Sequence, residues 1–165
     1  MPRRSWLLLF LLLSSLCLAQ TRHPFTFEDM MSLKRVGDPQ VSPDGKWVLF
    51  SAVDVNLEKN TRVSHLWVVP VAGGDSRQIT SDTGETRGRW SPDGKRFLFI
   101  SSKDGGSQVW VADFDGEKGA PAGAARKVTS ISTEADGELW SPDGILDLER
   151  TPASIPLIRS LVKRR

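Results

Sequence analysis

A tetrapeptide that recurs along the chain constrains the fold more than any other feature of the 165-residue sequence. Ser-Pro-Asp-Gly occurs three times, at residues 42–45, 91–94 and 141–144, and its starts are 49 and then 50 residues apart. Proline presets the second position of a tight turn, aspartate suits the third, and glycine accepts the left-handed backbone that closes a hairpin. Such a turn at near-constant spacing predicts a repeated structural unit.

Short apolar runs follow the turns in the same order in each repeat. They are residues 47–50 and 66–69 in the first repeat, and residues 97–100 and 109–112 in the second. Runs of four β-prone residues bounded by glycine turns are typical of strands covered on both faces. The sequence therefore predicts an all-β fold: an incomplete β-propeller with about two four-stranded antiparallel blades and the start of a third over residues 38–144.

Two pairs of tryptophans occupy matching positions in the repeat: Trp67 with Trp110, and Trp90 with Trp140. This repetition favours packing between blades over an exposed platform for a ligand. Trp47 has no repeat partner, because Arg96 stands at the equivalent position, and we expect it to be the most exposed of these tryptophans.

The first 19 residues predict an export signal. Arg3 and Arg4 precede an almost purely apolar run over residues 6–13, and small side chains then lead to Ala19. The apolar run is shorter than the ~20 residues that a membrane-spanning helix needs. We predict cleavage after Ala19, a secreted or periplasmic mature protein and no stable membrane span. Retention as an anchor and lipid attachment at Cys17 are the alternatives.

Residues 20–37 are predicted to form a lead with one short helix. Thr26 can cap a helix that has acidic residues in its first turn and ends near Lys34. We expect its apolar side chains to pack on the propeller, namely Met30, Met31 and Leu33.

The last 21 residues depart from the repeat. Asp147 and Glu149 stand where the second repeat has Phe97 and Phe99, and burying two unpaired carboxylates in a strand core costs several kcal/mol. We interpret residues 145–165 as an aberrant or truncated tail produced by a frameshift or truncation. A natural helical cap is the alternative.

The charge distribution argues against a nucleic-acid partner. The formal net charge of +2 arises at the two ends of the chain, because residues 20–144 carry a formal charge of −3. A mildly acidic body offers no basic stripe for a phosphate backbone.

The sequence predicts no catalytic residue, cofactor site or metal site. A serine hydrolase of the α/β type needs a G-x-S-x-G elbow, and the nearest string surrounds Ser76 with Gln78 in place of the second glycine. His23 follows the cleavage site and His65 matches Gln108 of the second repeat, so both are expected to be structural or exposed.

Two sets of acidic residues could suggest a cation site. Asp44, Asp93 and Asp143 stand at the matching turns of three separate blades, and Asp113, Asp115 and Glu117 alternate near a turn. Aspartate is a preferred turn residue, and the second set lacks a complete calcium-binding loop.

Residues 25–36 (FTFEDMMSLKRV) and 38–46 (DPQVSPDGK) resemble the amino-terminal part of secreted bacterial peptidases of the prolyl oligopeptidase family. The closest similarity is to acylaminoacyl-peptidase-like and dipeptidyl-peptidase-like members. Residues 90–95 (WSPDGK) and 106–110 (GSQVW) continue the resemblance, which covers about residues 25–144.

The resemblance implies a propeller that caps an α/β-hydrolase domain and filters the access of peptides to its active site. The catalytic Ser, Asp and His of the family belong to that later domain, so the chain as it stands is expected not to be an enzyme. Its expected partners are peptides or a protein that contacts the propeller. TolB-like periplasmic propellers, which bind partners without catalysis, have similar repeats and are the alternative.

Overall fold

The computed structural model describes residues 23–142, residue 144 and the backbone of residues 146–148. The predicted export signal and most of the predicted tail lie outside the described residues. Contacts divide the chain into a unit that ends at Met30 and a unit that begins at Met31, and the second unit holds all the strands named below.

The described residues form one short helix and three antiparallel sheets. The helix α1 is Phe27–Ser32. Blade 1 contains β1 (Arg35–Val41), β2 (Trp47–Asn56), β3 (Thr61–Pro70) and β4 (Arg77–Gln78), paired in that order. Blade 2 contains β5 (Thr86–Trp90), β6 (Arg96–Ser101), β7 (Gln108–Asp115), β8 (Ala120–Pro121) and β9 (Arg126–Lys127), in which both β8 and β9 pair with β7. The start of blade 3 contains β10 (Glu138–Trp140) and β11 (Leu146–Leu148).

The helix begins at a side-chain cap, as the sequence predicts. The hydroxyl oxygen of Thr26 accepts the backbone N–H of Asp29 at 3.2 Å, and the Asp29 carboxylate accepts the backbone N–H of Thr26 at 2.8 Å. This reciprocal pair satisfies backbone donors that a helix start leaves free. The helix buries none of its residues, and Met30 and Leu33 are exposed, so the expectation that these two side chains pack on the propeller is wrong. Met31 is half-buried.

Each Ser-Pro-Asp-Gly segment forms the tight turn between the first two strands of its blade. The glycine N–H donates to the serine carbonyl at 2.9, 2.9 and 2.8 Å in the three turns, and the glycines Gly45, Gly94 and Gly144 have φ values of 70°, 67° and 76°. A residue with a side chain rarely adopts such a φ, which explains why glycine closes every turn.

Apolar side chains fill two contact surfaces between blades. The first seam, between blades 1 and 2, joins Leu49, Leu66 and Val68 to Phe97, Phe99, Trp110 and Phe114. The second seam, between blade 2 and the start of blade 3, joins Leu98, Ile100 and Val109 to Ala135 and the half-buried Trp140. Strand alternation explains the division, since successive residues of β6 point to opposite faces of the sheet.

The tryptophans differ in how far they are buried and in what they contact. Trp110 lies in the first seam, as expected for packing between blades. Its equivalent Trp67 is half-buried, and Lys34 Nζ lies 4.1 Å from its ring centroid. Trp47 is only 8% exposed and donates its indole N–H to the Gly116 carbonyl at 2.9 Å. The expectation that Trp47 is the most exposed is therefore wrong, because the second blade's hairpin covers it.

A backbone irregularity also repeats. Asp38, Arg87 and Gly137 each lie three residues before the last residue of the first strand of their blade, and their φ values are 53°, 57° and 76°. The register of β1 with β2 and of β5 with β6 shifts at this point. Such bulges bend a strand and increase its twist.

The strand pairing continues past Gly144 with a changed register. Val41 pairs with Val48 and Trp90 with Phe97, but Trp140 pairs with Leu146, so the third hairpin is one residue shorter. A shift of one residue exchanges the two faces of a strand. Leu146, and not Asp147, therefore lies opposite Trp140. This change of register allows β11 to pair with β10 although Asp147 stands where blade 2 has Phe97.

Candidate functional site

The first strands of the blades form the candidate site. β1 contacts β5, and β5 contacts β10, so adjacent blades approach each other along these strands. In a propeller the blades are arranged around a central channel. Side chains on these strands therefore lie where neighbouring blades come together.

An ion pair connects the first strands of blades 1 and 2. Arg89 Nη1 donates to Asp38 Oδ2 at 2.6 Å and to the Gly88 carbonyl at 2.9 Å. The two side chains are 25% and 31% exposed, so the pair is partly shielded from water. Arg87 and Asp136 form a second ion pair between blade 2 and the start of blade 3. That pair is more exposed and contributes less, because solvent screens surface pairs.

A hydrogen bond from a tryptophan repeats at both seams. Trp90 Nε1 donates to the Gln40 carbonyl at 3.1 Å, and Trp140 Nε1 donates to the Arg89 carbonyl at 3.0 Å. Gln40 and Arg89 both lie two residues before the serine of their turn. The tryptophan before each turn therefore fastens its blade to the equivalent backbone position of the preceding blade.

Glu138 is the unusual charged group of the site. Its side chain is buried, and neither carboxylate oxygen has a hydrogen-bond partner among the described residues. Burial raises the pKa of Glu138 to about 7, although its own backbone N–H group and, after it, the positive charges of Arg89 and Arg87 act in the opposite direction. The repeat pattern does not point to Glu138, because its repeat equivalents Pro39 and Gly88 carry no ionisable group.

A polar clasp holds the third strand of each blade to the segment that leads into the next blade. In blade 1, His65 Nδ1 lies 3.1 Å from Oε2 of the buried Glu85. In blade 2, Gln108 Nε2 donates to the Ile131 carbonyl at 2.9 Å, and Gln108 Oε1 accepts the Thr129 hydroxyl at 2.8 Å. His65 thus has a carboxylate partner, which the sequence pattern does not indicate, and the clasp is a structural arrangement.

The turn aspartates act within their own turns. The Ser42 hydroxyl donates to Asp44 at 2.6 Å, and the Ser91 hydroxyl donates to Asp93 at 2.6 Å. These hydrogen bonds, followed by those from the backbone N–H groups of Lys46 and Lys95, lower the pKa of each carboxyl below its usual value. Asp143 lies outside the described residues.

The other residues that the sequence points to are not part of the first strands. Ser76 is exposed in the connection between β3 and β4, and His23 is exposed with its Nδ1 3.5 Å from Asp29 Oδ2. Asp113 pairs with Arg126 at 3.4 Å, and Asp115 accepts the backbone N–H of Glu117 at 3.0 Å. Over the part of the chain that the structure describes, no three His, Cys, Asp or Glu side chains are placed to hold a metal ion.

In the described residues, no helix has the length and apolar character that crossing a membrane requires.

The chain is related in sequence to peptidases, although no family model matches it. It is 36% identical over 121 residues to the uncharacterized peptidase YuxL of Bacillus subtilis (strain 168), which is 72% of this chain and 18% of that protein. It is 29% identical over 105 residues to dipeptidyl-peptidase 5 of Trichophyton equinum, covering 62% of this chain and 14% of the relative. Dipeptidyl-peptidase 5 of Porphyromonas gingivalis is 32% identical over 90 residues, covering 54% of this chain and 13% of the relative. The chain thus spans less than a fifth of these relatives.

Solved structures show the same fold. An acylaminoacyl peptidase in complex with Z-Gly-Gly-Phe-chloromethyl ketone has a TM-score of 0.56 at 23% identity, covering 71% of this chain and 17% of that one. The β-propeller domain of the Trilobed protease from Pyrococcus furiosus has a TM-score of 0.53 at 23% identity, covering 70% of this chain and 33% of that domain. Both the predicted fold and the predicted resemblance are thereby confirmed: the chain is an incomplete β-propeller, related in sequence to peptidases.

Proposed function

We propose that the chain is the amino-terminal propeller portion of an exported serine peptidase of the prolyl oligopeptidase family. The supporting observation is that the 121 residues matching a peptidase are most of the chain, and the described residues form blades. In this proposal the propeller limits the access of peptides to an α/β-hydrolase domain outside this chain. Catalysis belongs to that domain, and the chain alone hydrolyses no peptide.

The geometry of the seams supplies a physical basis for such a filter. Blades that separate along their first strands would widen the channel, and this separation would break the ion pair between Arg89 and Asp38 and the hydrogen bond from Trp90 to Gln40. Hydrogen bonds to charged groups contribute roughly 1.5–3 kcal/mol and neutral ones about 1 kcal/mol. The seams therefore oppose widening of the channel and favour short or extended peptides over folded proteins.

A chimera tests the filter. The matching segment of Porphyromonas gingivalis dipeptidyl-peptidase 5 is replaced by the corresponding residues of this chain, and hydrolysis of a short chromogenic substrate of that enzyme is compared with hydrolysis of a long peptide. Substituting Arg89→Gln in the chimera removes the ion pair, and Arg126→Gln, which lies on β9, serves as the matched control. We expect Arg89→Gln to increase the rate with the long peptide and to leave the rate with the short substrate unchanged. Equal rates for both variants on both substrates would overturn the filter.

The coding DNA gives a separate test of the parent protein. Translation of the sequence after the last codon in all three frames should show further propeller repeats and a hydrolase domain with a G-x-S-x-G elbow. If no frame contains them, and a pull-down with the chain recovers a specific protein partner, a non-catalytic binding propeller replaces the peptidase proposal.

A further inference from the structure

Glu138 occupies a position that the other blades keep free of charge. Two residues before the last residue of the first strand, blade 1 has Pro39, blade 2 has Gly88 and blade 3 has Glu138. At the first seam this position points into the preceding blade, because a Cβ added at Gly88 would lie 2.6 Å from Leu49 Cδ2. The equivalent of Leu49 at the second seam is Leu98, which is 1% exposed, and β10 contacts the strand that carries it. Glu138 thus places a carboxylate where the repeat has apolar packing.

The charges around Glu138 are already engaged with each other. Arg89 and Arg87 on β5 are the positive charges that act on it, and Asp136, two residues before it in the chain, is a negative one. Arg89 is held by Asp38 at 2.6 Å, and Arg87 is held by Asp136. On β6, Arg96 lies over the Trp140 ring, 5.0 Å from its centroid. The carboxylate is therefore buried without a hydrogen-bond partner in the described part of the chain, a state that strongly favours the neutral acid.

We propose that Glu138 makes the blade contacts proton-sensitive: the neutral acid lies buried in the second seam, and the ionised carboxylate draws Arg89 away from Asp38. Loss of the proton thus exchanges an ionic contact across the first seam for one across the second. Asp38 of blade 1 and Glu138 of blade 3 compete for the single guanidinium group of Arg89 on blade 2. The exchange therefore couples the first seam to the second. The raised pKa of Glu138, about 7, would place this exchange close to neutral pH. The inference does not depend on the peptidase assignment.

The direct test follows both partners of the exchange in the full chain by NMR. The carboxyl ¹³C shift of Glu138 and the Nε–H resonance of Arg89 are recorded between about pH 5 and about pH 8.5, and Glu138→Gln assigns the carboxyl signal. We expect both signals to move with one shared midpoint, and the Arg89 change to be lost in Glu138→Gln. A Glu138 signal that titrates while Arg89 stays constant would overturn the exchange, as would a Glu138 carboxyl that titrates at its ordinary pKa.

A second variant separates the exchange from general electrostatics. Asp38→Asn removes the competing acid, and asparagine tolerates the left-handed φ of 53° at this position. We expect Asp38→Asn to shift the Glu138 midpoint to lower pH, since Arg89 then no longer has to leave Asp38 in order to pair with the ionised Glu138 carboxylate. Asp104→Asn, whose carboxylate pairs with Lys127 on blade 2, is the matched control and should leave the midpoint in place. Identical shifts in both variants would contradict the proposal, and circular dichroism at about pH 5 checks that each variant is folded.

Discussion

Trp47 donates its indole N–H to the Gly116 carbonyl at 2.9 Å and thereby ties the second strand of blade 1 to a hairpin of blade 2. The ring packs edge-on against Phe114, with centroids 6.0 Å apart, and covers Gly119. A Cβ at Gly119 would overlap the Trp47 ring. The absence of a side chain at Gly119 is therefore what allows Trp47 to be buried.

Substituting Gly119→Ala should destabilise the chain more than an alanine at another left-handed glycine. Gly119 and Gly105 have φ values of 63° and 78°, but a Cβ at Gly105 meets no atom within 4 Å. A left-handed conformation costs a residue with a side chain ~1–2 kcal/mol in both variants, and overlap with Trp47 adds roughly 1–3 kcal/mol only in Gly119→Ala. Urea unfolding of the two variants measures the difference. Equal urea midpoints for Gly119→Ala and Gly105→Ala would show that the Trp47 ring can move aside without a loss of stability.

Substituting Trp90→Phe should cost more than substituting Trp110→Phe. Both side chains are buried, at 9% and 6% exposure, but Trp90 donates to the Gln40 carbonyl whereas Trp110 Nε1 has no partner among the described residues. Losing the Trp90 hydrogen bond leaves a carbonyl unpaired at the seam, at a cost of about 1–2 kcal/mol, while removing an unpaired donor costs nothing in hydrogen bonding. The free energy of unfolding from urea titrations checks this order, and a larger loss for Trp110→Phe would refute it.

The repeat carries most of what the sequence could predict about the fold. A turn motif reports local backbone chemistry, so three copies predict three hairpins, and tryptophans in matching positions predict matching seams. The burial of Trp47 does not follow from the repeat, because the segment that covers it is an insertion around Gly119 with no counterpart in blade 1. A repeat pattern cannot indicate contacts that only one blade makes.

The charged groups of the candidate site were harder to predict for a related physical reason. The partner of His65 is Glu85, which stands 20 residues away at a position where blade 2 has Ala135. Burial and pairing of a carboxylate depend on the tertiary contacts around it, and the residue type alone favours exposure. The pKa of Glu138 likewise follows from its burial in a seam, which no local pattern specifies.

Glu138→Gln should change the pH dependence of stability in a defined direction. The pKa of Glu138 is raised from 4.5 to about 7 in the folded chain, so the folded chain holds this proton more tightly. The contribution of Glu138 to the free energy of unfolding is fully present below its pKa in the unfolded chain and is lost as pH rises through about 7. The free energy of unfolding falls by about 3 kcal/mol in total. Urea midpoints of the unmodified chain should fall across this window, and those of Glu138→Gln should fall less. Parallel curves for the two proteins would contradict the burial of an unpaired carboxylate.

The turn aspartates should give the opposite dependence at lower pH. Hydrogen bonds from Ser42 and Ser91 lower the pKa of Asp44 and Asp93 below the usual 3.8. Their contribution to stability is present above that value and is lost as pH falls through the lowered pKa of the folded chain. In the double variant Asp44→Asn, Asp93→Asn, urea midpoints measured from about pH 5 to about pH 2 should fall less steeply than in the unmodified chain. Asp75→Asn, in the connection between β3 and β4, is the control and should retain the steep fall.

The clasp of blade 1 should be convertible into the clasp of blade 2. In both blades a threonine hydroxyl accepts the backbone N–H that follows the clasp residue, at 2.9 Å from Leu66 to Thr80 and at 2.9 Å from Val109 to Thr129. Blade 2 completes its clasp with Gln108 and has alanine where blade 1 has Glu85. The same backbone geometry therefore already accommodates a glutamine.

Either single substitution leaves a partner unpaired, whereas the double substitution removes both. Glu85→Ala leaves His65 without its carboxylate partner, and His65→Gln leaves the buried Glu85 carboxylate without its ring partner. Each loss should lower the free energy of unfolding by about 1–3 kcal/mol. In the double variant His65→Gln, Glu85→Ala, the new glutamine can bond to the Thr80 hydroxyl as Gln108 bonds to Thr129. We expect the double variant to be more stable than Glu85→Ala alone, which a double-mutant cycle of urea unfolding energies measures directly. Losses that simply add would show that the two clasps are not interchangeable and that the His65–Glu85 pair has a role that the repeat does not supply.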